Sequence, residues 1–140
     1  MSSEKNLFFS DGWIKAYVNA LNSNADYERS AKDWEGDFIL EIKPDGQTIK
    51  KPVRIYLDLY HGKARSAHIA TADETAEFKY SSTLENWKKL LGNQMGPIQG
   101  IMSRKFDLDG SIVKVMRYLK AAQELVDTTR DVNTIFQDEV

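Results

Sequence analysis

The chain has 140 residues, 41% of them apolar and 29% charged, and no cysteine. That length makes one domain with a single core, and the balance of residues excludes wholesale disorder. The formal charge of -2 is spread along the chain, so no basic stripe offers itself to a phosphate backbone and nucleic acid is not expected as a partner.

The absence of thiols excludes disulfides and thiolate zinc sites and fits a reducing compartment. The opening "MSSEKNLFFSDG" has no long apolar run after its lysine, which argues against a signal peptide. No segment approaches the ~20 apolar residues of a membrane span, so a cytoplasmic protein without stable membrane insertion is expected.

In chain order, Ser10 and Asp11 precede a run with Trp13, Ile14, Tyr17, Val18 and Leu21 at helical spacing, which predicts a capped amphipathic helix over about residues 10–22. Tyr27, Ala31 and Trp34 suggest a short further turn of helix. From Trp34 the period becomes two: Gly36, Phe38, Leu40 and Ile42 share a face, opposite Asp37, Glu41 and Lys43.

Pro44-Asp45-Gly46 supplies a turn, and Val53, Ile55, Leu57 and Leu59 then face inward on a second strand. His61-Gly62 makes a tight turn into "KARSAHIA", and "AEFKYS" carries Ala76, Phe78 and Tyr80 on a fourth strand. Four strands with short connections predict a largely antiparallel meander.

Ser82 with Glu85 fits a capping box for a helix whose inner face holds Leu84, Trp87 and Leu91, and Gly92 ends it. Pro97 opens a helical turn bearing Ile98, Ile101 and Met102. Phe106 and Leu108 alternate with charges on a fifth strand. After Asp109-Gly110-Ser111, one long helix is predicted over 112–126, with Ile112, Val115, Met116, Leu119, Ala122 and Val126 in phase.

A tail from about residue 127 to 140 follows, polar except for Val132, Ile135 and Phe136. The order indicates an α+β fold with helices packed on a mostly antiparallel sheet.

Little in the pattern speaks for catalysis. His61 and His68 have no nearby carboxylate cluster in the sequence and read as surface or sheet-edge residues. Gly92, Gly96 and Gly100 lack the preceding strand and following lysine of a phosphate loop. Asp107 and Asp109 share a strand face but lack further cation ligands at loop spacing, so they read as a solvated face. The more informative signal is apolar: Trp87, Leu91, Ile98, Ile101, Met102, Met116 and Leu119 are predicted to face one side of the sheet, and methionine adapts to irregular shapes. Ordinary core packing predicts the same set.

The segment "FKYSSTLENWKKLLGNQMGPIQGIMSRKFDLDGSIVKVMRYLKAAQELV" resembles the sterol carrier protein 2 family in its order of strand, capped helix, apolar-Met turn, short strand, Gly turn and amphipathic helix. "DWEGDFILEIKPDG" and "VNTIF" resemble the first strand and the ending of its single-domain prokaryotic members, so the likeness spans most of Trp34 to Phe136. One departure is Arg104, where the family often has glycine.

The resemblance implies one lipid-binding domain over residues 1–140: a five-stranded sheet covered by helices, with an apolar tunnel between the two layers. The tunnel would hold a fatty acid, fatty acyl chain or sterol-like lipid without cofactor, metal or catalysis. Leu57 and Phe78 would contribute from the sheet and Trp87, Leu91, Ile98, Ile101 and Met102 from the helices. Phe106, Leu108, Met116 and Leu119 would complete the wall, with Arg104 at the mouth. The alternative is an accessory module whose apolar groove binds a partner helix, or the chain's own tail.

Overall fold

A computed structural model describes residues 4–140, so the first three residues of the opening stretch lie outside the description. Helix α1 (Asp11–Asn22) starts where the Ser10 side chain accepts the Trp13 amide, and α2 (Ala25–Ser30) starts where Asn24 accepts from Asp26 and Tyr27. A two-residue strand β1 (Asn6–Leu7) precedes them.

The main sheet is built from β2 (Glu35–Ile42), β3 (Val53–Tyr60), β4 (Lys63–Ile69), β5 (Phe78–Ser82) and β6 (Asp107–Asp109), in the spatial order β4-β3-β2-β5-β6. Three of its four pairings are antiparallel, but β5 runs parallel to β2, so the predicted simple meander is corrected. The reason is competition for edges. β3 takes one edge of β2 and β4 the far side of β3, and residues 70–77 carry the chain back to the free edge of β2. That connection is held over the sheet by Arg54, whose guanidinium donates to the carbonyls of Thr71, Ala72 and Glu74.

Register sorts the faces as alternation predicts. Phe38 lies opposite Leu57 and Phe78, and Leu40 opposite Ile55 and Tyr80, all on the inner face. Asp37, Glu41, Arg54 and Asp58 stand on the outer face, where the half-buried pair Arg54–Glu41 meets at 3.0 Å. His61 and Gly62 both take positive φ in the β3–β4 turn, the geometry of a tight hairpin.

Helix α3 (Leu84–Leu91) is capped by Thr83, not Ser82: Ser82 ends β5 and its hydroxyl bonds the Lys105 carbonyl, leaving Thr83 to accept the Asn86 amide. The helix ends at Gly92, but the left-handed residue beyond it is Asn93, at φ 63°.

Helix α4 (Pro97–Met102) has Pro97 in its first turn. A Cβ on Gly100 would stand 2.9 Å from the Phe106 ring, so the bare backbone lets α4 settle onto that ring. The predicted long C-terminal helix is two: α5 (Ile112–Met116) and α6 (Leu119–Thr129), divided where Tyr118 leaves helical geometry at φ -125°, ψ 42°. Finally β7 (Thr134–Ile135) pairs in parallel with β1, and a 3₁₀ turn (Gln137–Glu139) closes the chain.

Two backbone positions carry measurable consequences. Gly110 has φ 121°, and a Cβ there would lie 2.4 Å from the buried Phe78 ring. Gly110→Ala should therefore lose about 3 kcal/mol of stability, from clash and left-handed strain together, read as a lower urea midpoint. Arg104 sits at φ 63° beyond α4, with its amide donating to Ile101, which gives a backbone reason for glycine at that place. Arg104→Gly should raise stability by up to about 1 kcal/mol in thermal unfolding, the strain relief being partly offset by the freer unfolded chain.

Candidate functional site

The inner face of the sheet does not meet its helices everywhere. An apolar cavity of about 90 Å³ remains between them. Its floor comes from four strands: Phe38 and Leu40 on β2, Leu57 and Leu59 on β3, Tyr80 on β5 and Leu108 on β6. Its roof comes from Tyr17 of α1, Trp87, Leu90 and Leu91 of α3, Pro97, Ile98 and Ile101 of α4, Val115 of α5, and Ala122, Leu125, Val126 and Thr129 of α6.

Every polar side-chain group in this wall is already engaged with a main-chain carbonyl. The Tyr17 hydroxyl donates to Leu125 at 2.7 Å and the Tyr80 hydroxyl to Pro97 at 2.9 Å. The Trp87 indole N–H donates to Glu41 at 2.9 Å and the Thr129 hydroxyl to Val126 at 2.5 Å. Burial pushes both phenols far above the ordinary tyrosine range, so near neutral pH they stay protonated.

Among the described residues, no Asp, Glu, Lys, Arg or His stands in the wall. The arrangement is therefore suited to taking up apolar groups by partition, and it presents no polar anchor in its interior.

Beside this cavity is a smaller one of about 30 Å³ under Tyr27, Trp34, Tyr118 and Ala121. The two share Phe38, Val115, Ala122 and Leu125 as a partition.

Of the residues singled out from the sequence, Leu57, Trp87, Leu91, Ile98, Ile101 and Leu108 stand in the wall. Phe78 and Phe106 are buried behind it: Phe106 stacks on Tyr80 with centroids 4.5 Å apart, and Phe78 on Phe38 at 5.0 Å. Met102, Met116 and Leu119 are exposed instead of facing the sheet, as is Arg104. Met102 ends α4 one residue beyond the wall residue Ile101. Met116 is the last residue of α5 and Leu119 the first of α6, on either side of the break at Tyr118, and at these helix ends both stay exposed while Val115 and Val126 are buried.

Phe38, Leu40 and Leu59 were legible as inward strand positions, and Tyr17 as an inner helix position, though not as members of a cavity. Ala122 and Leu125 enter the wall only through the packing of α6.

Other candidates lie elsewhere. His61 pairs with Glu35 at 2.7 Å and His68 with Glu74 at 2.6 Å, both exposed and outside the wall. Asp107 pairs with Lys43, and Asp109 with Lys79 at 3.6 Å. The tail does not plug the cavity, because β7 clasps β1 and the Phe136 ring packs 5.1 Å from Phe8. Among the described residues no helix is long and apolar enough to cross a membrane.

The chain is similar to known proteins over most of its length. The model of the SCP-2 sterol transfer family matches residues 15–123. No curated protein sequence matches the chain. A crystal structure of sterol carrier protein 2 is 33% identical, with 89% of this chain and 98% of that one aligned at a TM-score of 0.84. The solution structure of a conserved hypothetical protein from Thermus thermophilus is 32% identical, over 96% of this chain and 94% of that one, with a TM-score of 0.83.

The apo form of sterol carrier protein 2 from Yarrowia lipolytica is 16% identical over 94% of this chain and 99% of that one, with a TM-score of 0.60, a likeness of fold alone. With its α+β architecture, its apolar interior and a family match that spans most of its length, the chain belongs to the SCP-2 sterol transfer family of lipid-binding and lipid-transfer domains.

Proposed function

We propose that the protein is a non-catalytic carrier that holds one fatty acid or fatty acyl chain between its sheet and its helices. The observation that carries this reading is the wall itself: residues from four strands and five helices surround a cavity without a charged side chain, and its hydroxyl and indole groups are satisfied internally. An alkyl chain fits such a wall because it asks for no hydrogen bond. A sterol hydroxyl would find no free partner inside, so a chain with its head group left at the mouth is the better match.

Size decides how the ligand gets in. A cavity of about 90 Å³ is smaller than the roughly 150 Å³ needed to take up benzene, so a long chain requires the cover to move. The cover is weakest at α4 and α5, which have six and five residues; only Val115 of α5 is buried, and only Pro97 and Gly100 of α4. Such short elements open at low free energy compared with the sheet.

Displacing the shared partition of Phe38, Val115, Ala122 and Leu125 would merge the two cavities into a tunnel. Burying a sixteen-carbon chain contributes about 12 kcal/mol gross, which leaves room for opening and ordering costs and still permits micromolar binding.

Two substitutions test the assignment. Ala122→Phe fills the space that lipid would take. It should weaken displacement of a fluorescent fatty acid by palmitate by about tenfold, with thermal stability unchanged or higher. A lower melting temperature with unaltered binding would show a filled, ordinary core instead. Ile101→Glu places a charge in the wall from a short surface helix; binding should fall by at least about tenfold while the far-ultraviolet circular dichroism is kept.

A further inference from the structure

Eight large apolar side chains are exposed among the described residues, and five of them fall between Met102 and Leu119: Met102 at 73%, Val113 at 61%, and Ile112, Met116 and Leu119. Leu7, Ile69 and Val140 are scattered elsewhere. A concentration of this kind in one short stretch marks an interaction surface.

Its position is specific. Met102 follows the wall residue Ile101, Met116 follows Val115, Ile112 stands one turn before Val115, and Leu119 one turn before Ala122. Four of the five exposed residues therefore border the apolar cavity wall along α4, α5 and the start of α6, and Val113 lies beside Ile112 on α5.

Charge selects the partner. The chain as a whole carries -2, yet between Met102 and Lys120 there are five basic residues and two acidic ones. The two acidic residues, Asp107 and Asp109, are paired with Lys43 and Lys79 across the sheet. Lys114 is held by Glu77 and by the Glu35 carbonyl, and Lys120 by Glu124. Arg104, Lys105 and Arg117 are exposed and have no ion pair among the described residues.

Apolar side chains bordered by free cations match the interface of an anionic bilayer, where the first enter the acyl boundary and the second meet the head groups. A second copy of the chain fits less well. A two-fold contact would set the positive patch of Arg104, Lys105 and Arg117 against the same positive patch of the other copy.

We propose that the α4–α5–α6 face is a membrane-docking surface that places the weakest part of the cover against anionic lipid. The inference rests on the carrier reading for its purpose, since docking beside the cavity lets an acyl chain pass between bilayer and protein without crossing water.

The test uses the full chain with vesicles of phosphatidylcholine and of a phosphatidylcholine–phosphatidylglycerol mixture, read by flotation. Displacement of a fluorescent fatty acid is measured in parallel without vesicles. The wild type should bind the mixed vesicles, more weakly as salt rises, and V113D and the double variant K105E/R117E should each bind about tenfold less. Their affinity for the fatty acid in solution should be unchanged, because none of the three residues is in the cavity wall.

Equal vesicle binding by the wild type and both variants would overturn the docking surface. So would absence of vesicle binding together with a dimer that V113D dissolves, which would assign the face to a second copy. Vesicle binding lost in V113D, in a wild type that takes up no fatty acid, would support the docking surface and remove the carrier reading.

Discussion

The packing of this protein turns on one side chain, Trp87. Its indole N–H donates to the Glu41 carbonyl of β2, which ties α3 to the central strand of the sheet. Its ring meets Phe8, Phe9, Tyr80 and Phe106 edge-on at 5.0 to 5.7 Å. Through Phe8 that cluster reaches Trp13 and Phe136, so both ends of the chain are anchored by it. Edge-to-face aromatic packing adds to area burial and demands fixed geometry, so this part of the interior is full and rigid.

The other side of Trp87 faces the cavity. The interior thus has a solid aromatic cluster closed by α1, α3 and the clasped strands β1 and β7, and a looser part beneath α4, α5 and α6 where aliphatic side chains join Phe38 and Tyr80 in the wall. Aromatic rings with two torsions pack solidly, whereas Ile98, Ile101, Ala122 and Leu125 leave space that a flexible chain can take. On the carrier reading, the rigid part keeps the site in shape while the looser part opens, a division of stability between the two.

The polar connections follow the same division. Where the wall contains a hydroxyl, the main chain has captured it, as at Tyr17 and Tyr80. Charges are kept out of the cavity wall, on the outer sheet face and the surface in pairs such as Arg54–Glu41 and Arg65–Asp58, and the buried Glu124 carboxylate is held by Lys120 and Asn24. An unpaired charge inside would be costly, and its exclusion leaves an interior whose selectivity rests on shape and apolarity.

Alternation and helical spacing by themselves determined which residues turn inward on β2 and β3, the start of α1 at Ser10 and the role of Pro97 in opening α4, because these depend on local period and capping. They also identified Trp87, Leu91, Ile98 and Ile101 as inward-facing.

Only the tertiary structure decided the parallel pairing of β5 with β2, since which edge a strand joins depends on contacts far apart in the chain. It decided, too, the break at Tyr118. That residue lies edge-on to Trp34 at 5.0 Å and its hydroxyl bonds the Asp33 carbonyl, contacts that no period within 112–126 encodes. Met116 and Leu119 stand at the helix ends flanking that break and face solvent, while Val115, Ala122 and Leu125 close the cavity: spacing sets the phase within a helix, and packing sets where one helix ends and the next begins.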